Sequence, residues 1–198
     1  MPEKFFSMDS RDVFAAYLKK DSTIKQDEIE LICSYFQEET LDKEASLLMA
    51  GNKYRKIVFV VKGILRVYIV DNNGDEVVKN FIEPDSFFAD IESFDKNQNS
   101  LINVSAVTDC TLLTLSKPDA DKLVQQLPKW EYLMKAGAMQ AMNDMIRKQG
   151  FLRVGDSSDQ YRHFVKHFPL LARQVPLKYI ASYLCITQSS LSRIRKKE

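Results

Sequence analysis

The chain is predicted to be an α+β protein: short helices, an antiparallel β jelly roll, one long helix and a C-terminal helix-turn-helix. Three observations predict it. Residues 57–115 hold several short β-branched and aromatic runs at regular spacing, parted by turn residues. Pro128–Gln149 has no internal proline and carries apolar residues at helical spacing. Val175–Lys197 reads as two short helices around a tight turn. The predicted units are residues 1–127 (jelly roll and leading helices), 128–150 (long helix) and 151–198 (helix-turn-helix).

Residues 9–20 and 27–36 read as helices, the second with Ile29, Ile32, Cys33 and Phe36 along one side. After Thr40 the texture changes. Ile57–Val61, Ile64–Val70 and Val77–Ile82 are strand-like, with turn signals at Gly51-Asn52, Lys62-Gly63 and Asp71-Asn72-Asn73-Gly74. Leu101–Val107 and Thr111–Leu115 are two further strand-like runs. From Pro118 the texture is helical again. Met134, Ala138, Ala141 and Met145 step by four, three and four, as a coiled-coil seam does, and Met139, Met142 and Ile146 widen that face. A core-facing helix within a monomer shares this periodicity. The dimer is preferred because most helix-turn-helix proteins read two half-sites. Gly150 and Gly155-Asp156-Ser157-Ser158 read as a hinge into the C-terminal unit.

In that unit Leu177, Ile180, Ala181 and Leu184 mark one helix, and Leu191 and Ile194 the inner face of the next. Thr187 stands where a hydroxyl accepts from an orphan backbone N–H. The second helix presents Gln188, Ser189, Ser190, Ser192 and Arg193, types that reach base edges and phosphates. An ordinary helical hairpin would fit the periodicity too, but charge favours a nucleic acid. Residues 145–198 hold eleven Lys/Arg against three Asp/Glu, a net of +8; residues 1–144 hold seventeen against twenty-four, a net of −7. A basic end on an acidic body is the footprint of a polyanion partner. Lys178, Thr187, Arg193, Arg195, Lys196 and Lys197 join the helix residues as expected contacts to double-stranded DNA.

Composition narrows the rest. At 45% hydrophobic and 28% charged, the chain reads as globular. No apolar run has the length of a membrane span, and the first residues lack a secretion signal, so no membrane partner and a cytoplasmic location are expected. Cys33, Cys110 and Cys185 lie far apart, which argues against disulfides, structural zinc and an iron–sulfur cluster. His163 and His167, four apart, could share a helix face and bind metal; a solvated helix face is the favoured reading. A metal-holding jelly-roll enzyme would place histidines inside its barrel, and residues 40–117 contain none. No enzyme, metal or cofactor is therefore expected.

Gly51, Phe59-Val60-Val61-Lys62-Gly63, the Asn73-Gly74 turn, the Ile82–Asp90 segment and the closing Leu191–Lys197 occur in one order with the parts above. Together they resemble the CRP/FNR family of bacterial transcription regulators, over nearly the whole chain. The resemblance implies a cyclic-nucleotide-binding-like jelly roll and a DNA-binding homodimer, with RNA polymerase as a further partner. It also implies where an effector pocket would lie: Phe88, Ala89, Asp90, Ile91, Ser100 and Leu101. Family members that bind cyclic nucleotides hold the phosphate with a short Gly-Glu-Leu turn and a later Arg-Ser-Ala. The buried anion needs that guanidinium fork. Here the matching residues are Ala89-Asp90-Ile91, then Ser100 for the Arg and Leu101 for the Ser, and Asp85 stands where Gly is usual. No Arg occurs between Arg66 and Arg147. Tight cAMP or cGMP binding is therefore not expected.

The reading helix departs as well. Gln188-Ser189-Ser190 replaces the Arg-Glu-Thr of the best-known members, so a different operator is expected. Cys185 takes a turn position that often carries Gly. The leading expectation is a DNA-binding transcription regulator with a degenerate nucleotide pocket. The alternative is a small-molecule sensor acting through protein contacts without DNA binding.

Overall fold

A computed structural model describes residues 9–152 and 155–197. Two helices, α1 (Ser10–Leu18) and α2 (Gln26–Tyr35), lead into β1 (Gln37–Leu41), β2 (Ser46–Leu48), β3 (Lys56–Lys62), β4 (Leu65–Val70), β5 (Glu76–Ile82) and β6 (Ser86–Phe88). The short α3 (Ile91–Lys96) precedes β7 (Asn103–Ala106) and β8 (Cys110–Ser116). Then come α4 (Lys117–Gln126), α5 (Lys129–Leu152), α6 (Ser157–His167), α7 (Pro169–Gln174), α8 (Leu177–Tyr183) and α9 (Gln188–Arg195).

The strands form two four-stranded antiparallel sheets, in the orders β1-β8-β3-β6 and β2-β7-β4-β5. This is the expected jelly roll. Side chains alternate across each strand, and the alternation assigns three layers. Val58, Val60, Leu65, Val67, Ile82, Val104, Ala106 and Leu112 fill the space between the sheets. Ile57, Phe59, Leu113 and Leu115 point the other way, into a layer with Phe14, Ile29, Phe36 and Trp130 from the flanking helices. On the outer side of the second sheet, Ile64, Val78, Phe81 and Val107 share a core with Phe164, Leu171, Tyr179, Ile180, Leu184 and Leu191. The helix-turn-helix unit thus packs directly on the barrel.

Local rules fix the joints. Glu28 closes a capping box by accepting from the Lys25 amide at 2.7 Å, and its carboxylate also holds Lys129 at 2.9 Å. The backbone bond to Lys25 and then Lys129 hold its carboxyl below the usual range. Gly63 joins β3 to β4 with φ +92°, and a Cβ there would sit 2.4 Å from the Asp109 carbonyl oxygen. Only glycine fits that crossing.

Every strand-like run in the sequence becomes a strand. Three others had no sequence signal: β1, β2 and β6. All three lie at sheet edges, where short, half-exposed and charged segments such as Gln37-Glu38-Glu39 are the rule. The long helix runs two residues beyond its expected end, to Leu152. Of the expected hinge, Gly150 lies inside α5, whereas Gly155 takes φ +84° just before α6. The hinge's second half is the N-terminus of α6, where Asp156 caps the amides of Ser158 and Asp159.

Candidate nucleic-acid interface and effector pocket

Helix α8 ends where Cys185 takes φ +56°, the left-handed conformation expected of a glycine there. That turn lets the Ile186 amide reach the Ala181 carbonyl at 3.0 Å and aims the chain into α9. Thr187 is the N-cap, and its hydroxyl accepts from the Ser190 amide at 3.1 Å. Leu191 is fully buried and Ile194 half-buried, which turns the opposite side of α9 to solvent. On that side Gln188, Ser189, Arg193 and Arg195 are exposed, with Lys196 and Lys197 directly after.

The expected DNA-contact residues do not stand alike. Thr187 is exposed, but its hydroxyl is engaged with Ser189 and Ser190. Ser190 and Ser192 are half-buried, so they flank the open face. Lys178 lies on α8, exposed, with its ammonium 4.5 Å from the centre of the Tyr179 ring. A hydrogen bond with Tyr179 holds its pKa above the usual value, so its charge persists.

The six expected pocket residues stand in different surroundings. Phe88 packs into the layer between the sheets, whereas its neighbour Ala89 packs into the opposite layer. Asp90 caps α3 by accepting from the Ser93 amide at 3.3 Å. Ser100 is only 2% exposed, and its hydroxyl is spent on the Ile102 carbonyl and amide, each at 3.1 Å. Leu101, beside it, is 77% exposed, and Ile91 also faces solvent. Ser100 is held inward by its backbone: its amide donates to the Asn52 carbonyl and its carbonyl accepts from the Gly51 amide, each at 2.8 Å. One shallow cleft of about 270 Å³ lies beside Ser46–Tyr54, next to Ser100, and another of about 340 Å³ lies between Lys62, Pro84, Asp109 and Leu170.

Of the two arginines in the barrel, Arg55 donates to the Phe94 carbonyl at 3.4 Å, and Arg66 is no substitute for the missing clamp. Leu65 and Val67 point between the sheets, so Arg66 points outward, where it pairs with Glu76. Sequence reasoning did not single out this residue. Its signal was present: Arg66 and Tyr68 alternate with apolar residues along one strand, which marks a second face with its own chemistry.

On α5, Ala138, Ala141 and Met145 are exposed, whereas Met134 packs against its own aromatic core. The largest exposed apolar side chains there are Tyr132, Met139, Met142 and Ile146. The start of α5, Met134 included, packs into the Phe36–Trp130 layer, while the later seam positions lie open. His163 and His167 stack with ring centres 6.3 Å apart, and among the described residues no group of three or more His, Cys, Asp or Glu is placed to hold a metal.

Residues 38–127 match the cyclic nucleotide-binding domain family. The cAMP-activated global transcriptional regulator CRP of Escherichia coli is 26% identical over 98 residues, covering 50% of this chain and 46% of that protein. The chain spans about half the length of the curated relatives it matches. FixK2 of Bradyrhizobium japonicum superposes with a TM-score of 0.69 at 14% identity, covering 82% of this chain and 83% of that one. The c-di-GMP-responsive global regulator CLP of Xanthomonas campestris gives 0.67 at 16% identity, covering 87% and 91%. These structural likenesses establish the fold.

Proposed function

We propose that the chain is a homodimeric transcription regulator of the CRP/FNR type that binds double-stranded DNA through α9. The observation that carries the proposal is the open face of α9. Gln188, Ser189, Arg193 and Arg195 face solvent together, continued by Lys196 and Lys197, on a chain whose first 144 residues carry a net −7. Arg and Lys neutralise phosphates, and Gln pairs with adenine in the major groove. Thr187 fixes the start of the helix, and Lys178 adds a phosphate contact from α8.

The jelly roll does not hold a cyclic nucleotide by the usual clamp. The space between its sheets is filled by apolar side chains, Ser100 has no free hydroxyl, and Arg66 faces away. A buried phosphodiester without a cation loses several kcal/mol. The apolar stripe of α5 joins two copies, so that two reading helices meet two half-sites. RNA polymerase is the expected downstream partner and the cytoplasm the site of action. This is a regulator, not an enzyme.

The test is the salt dependence of binding to a duplex recovered from a random-sequence library. Affinity should fall linearly with salt on a log–log scale. Lys196→Ala should weaken all sequences alike and lower the slope by about one. Binding that ignores salt would sink the reading.

A further inference from the structure

We propose that the outer face of the β4–β5 hairpin is a built-in mount for the reading unit, with Arg66, Glu44 and Tyr179 as positioning residues that hold α8 in the DNA-competent orientation. The proposal rests on the DNA-binding reading above. It starts from a buried cation. Arg66 is 4% exposed although it lies on the outer side of its sheet. Its guanidinium is enclosed between the rings of Tyr68 at 4.1 Å and Tyr179 at 4.0 Å. Its edges are used as well. It donates to both oxygens of Glu76, at 2.5 and 3.2 Å, and to the Ser105 hydroxyl at 2.9 Å. Three of these partners come from the barrel; Tyr179 comes from α8. Removing Tyr179 opens one whole face of a cation that otherwise has none exposed.

Two further bridges cross the same seam. The Tyr179 hydroxyl donates to Glu44 at 2.8 Å. Glu44 holds φ +66°, a conformation costly for a non-glycine and kept where surrounding contacts over-determine it. The Ser182 hydroxyl accepts from the Val78 amide at 2.9 Å and donates to the Glu76 carbonyl at 3.1 Å. β5 is an edge strand, so α8 satisfies backbone groups that would otherwise lie open. Phe81 and Tyr183 meet edge-on at 5.3 Å beside them. Apolar contact, a stacked cation and backbone hydrogen bonds together fix an orientation, which apolar contact alone does not.

Docking leaves α9 open: Gln188, Ser189, Arg193 and Arg195 stay exposed while α8 is held. That favours a mount over an inhibitory contact. Two readers in a dimer must sit about one helical turn of DNA apart, and a fixed mount sets that spacing before DNA arrives. No ligand is needed to set it, in keeping with a filled barrel.

The test locks the mount. In a Cys185→Ser background, Val78→Cys with Ser182→Cys places two thiols across the seam, to be oxidised with copper–phenanthroline. Duplexes from the random-sequence selection report affinity. The oxidised protein should bind as tightly as the reduced one. Tyr179→Ala should weaken binding about tenfold, as expected if docked molecules fall to about a tenth. Its salt slope should not change, because no phosphate contact is lost. The lock should restore its affinity, and Tyr179→Phe, which keeps the stack but loses the bond to Glu44, should fall between wild type and Tyr179→Ala. Loss of binding on oxidation would make the docked state inhibitory and overturn the proposal, as would full affinity in Tyr179→Ala. If no form binds DNA, the DNA-binding reading fails instead. The mount is then judged by hydrogen exchange: a Val78 amide no faster in Ser182→Ala than in wild type overturns it.

Discussion

Tyr183, at the end of α8, faces the barrel from the C-terminal helices, its ring edge-on to Phe81 at 5.3 Å and to Phe164 at 6.0 Å. Burial, with a smaller contribution from Glu83, pushes its phenol up to about 12 from the ordinary 10.0. The protonated form is therefore favoured in the folded state. In the unfolded chain the phenol ionises near its ordinary value. The stability from this group is complete below that value and is lost as pH rises from there through about 12. The loss is about 2–3 kcal/mol. Urea midpoints at about pH 9 and about pH 11.5 should differ by more in the native protein than in Tyr183→Phe. Equal differences would mean that the phenol is not shielded by docking. Cys185 shows another single-residue decision. Its left-handed turn joins α8 to α9 at a position without glycine's freedom, and the turn is kept because Leu184 and Leu191 are buried on both sides of it.

Among the elements, α5 carries two different faces. Near its start Trp130 and Met134 pack inward. Further along, Met139 is 70% and Met142 60% exposed, with Ile146 also open. Large apolar side chains at helical spacing on an uncovered helix mark an interaction surface. Burying each of them contributes about 1.5–3 kcal/mol. The double variant Met139→Glu, Met142→Glu should weaken self-association by at least about a hundredfold. Sedimentation velocity would show monomers, while Trp130 fluorescence, which reports the separate inward layer, should not change. DNA affinity should fall with the dimer, because each half-site then binds alone. A variant that remains dimeric would place the interface elsewhere.

For the whole molecule, three layers divide the work. Helices α1, α2 and α4 cover one sheet, apolar side chains fill the barrel, and the C-terminal helices cover the other sheet. An effector pocket would have to open the middle layer, where Val58, Val60, Leu65 and Val104 are packed without exposure. The melting temperature should therefore not move with excess cAMP or cGMP. A ligand at about a hundred times its dissociation constant would add about 2.7 kcal/mol, a shift of several degrees. A clear shift with either nucleotide would mean that the barrel opens and that another group replaces the arginine.

The sequence alone determined the architecture, because its evidence is local and periodic. Alternating apolar residues set the central strands, Gly63 and the Asn73-Gly74 turn set the crossings, and Leu191 with Thr187 set α9. It also determined that no arginine follows Arg66 before Arg147, which needs no coordinates. The edge strands β1, β2 and β6 escaped, since a half-solvated strand has no apolar pattern to declare it. Only the tertiary structure decided which way Ser100 and Arg66 point, that the start of α5 belongs to its own core, and that α8 rests on β5. Those outcomes depend on contacts between residues far apart in the chain, such as Arg66 with Tyr179. A stacked or hydrogen-bonded pair of that kind leaves no periodic trace along the sequence.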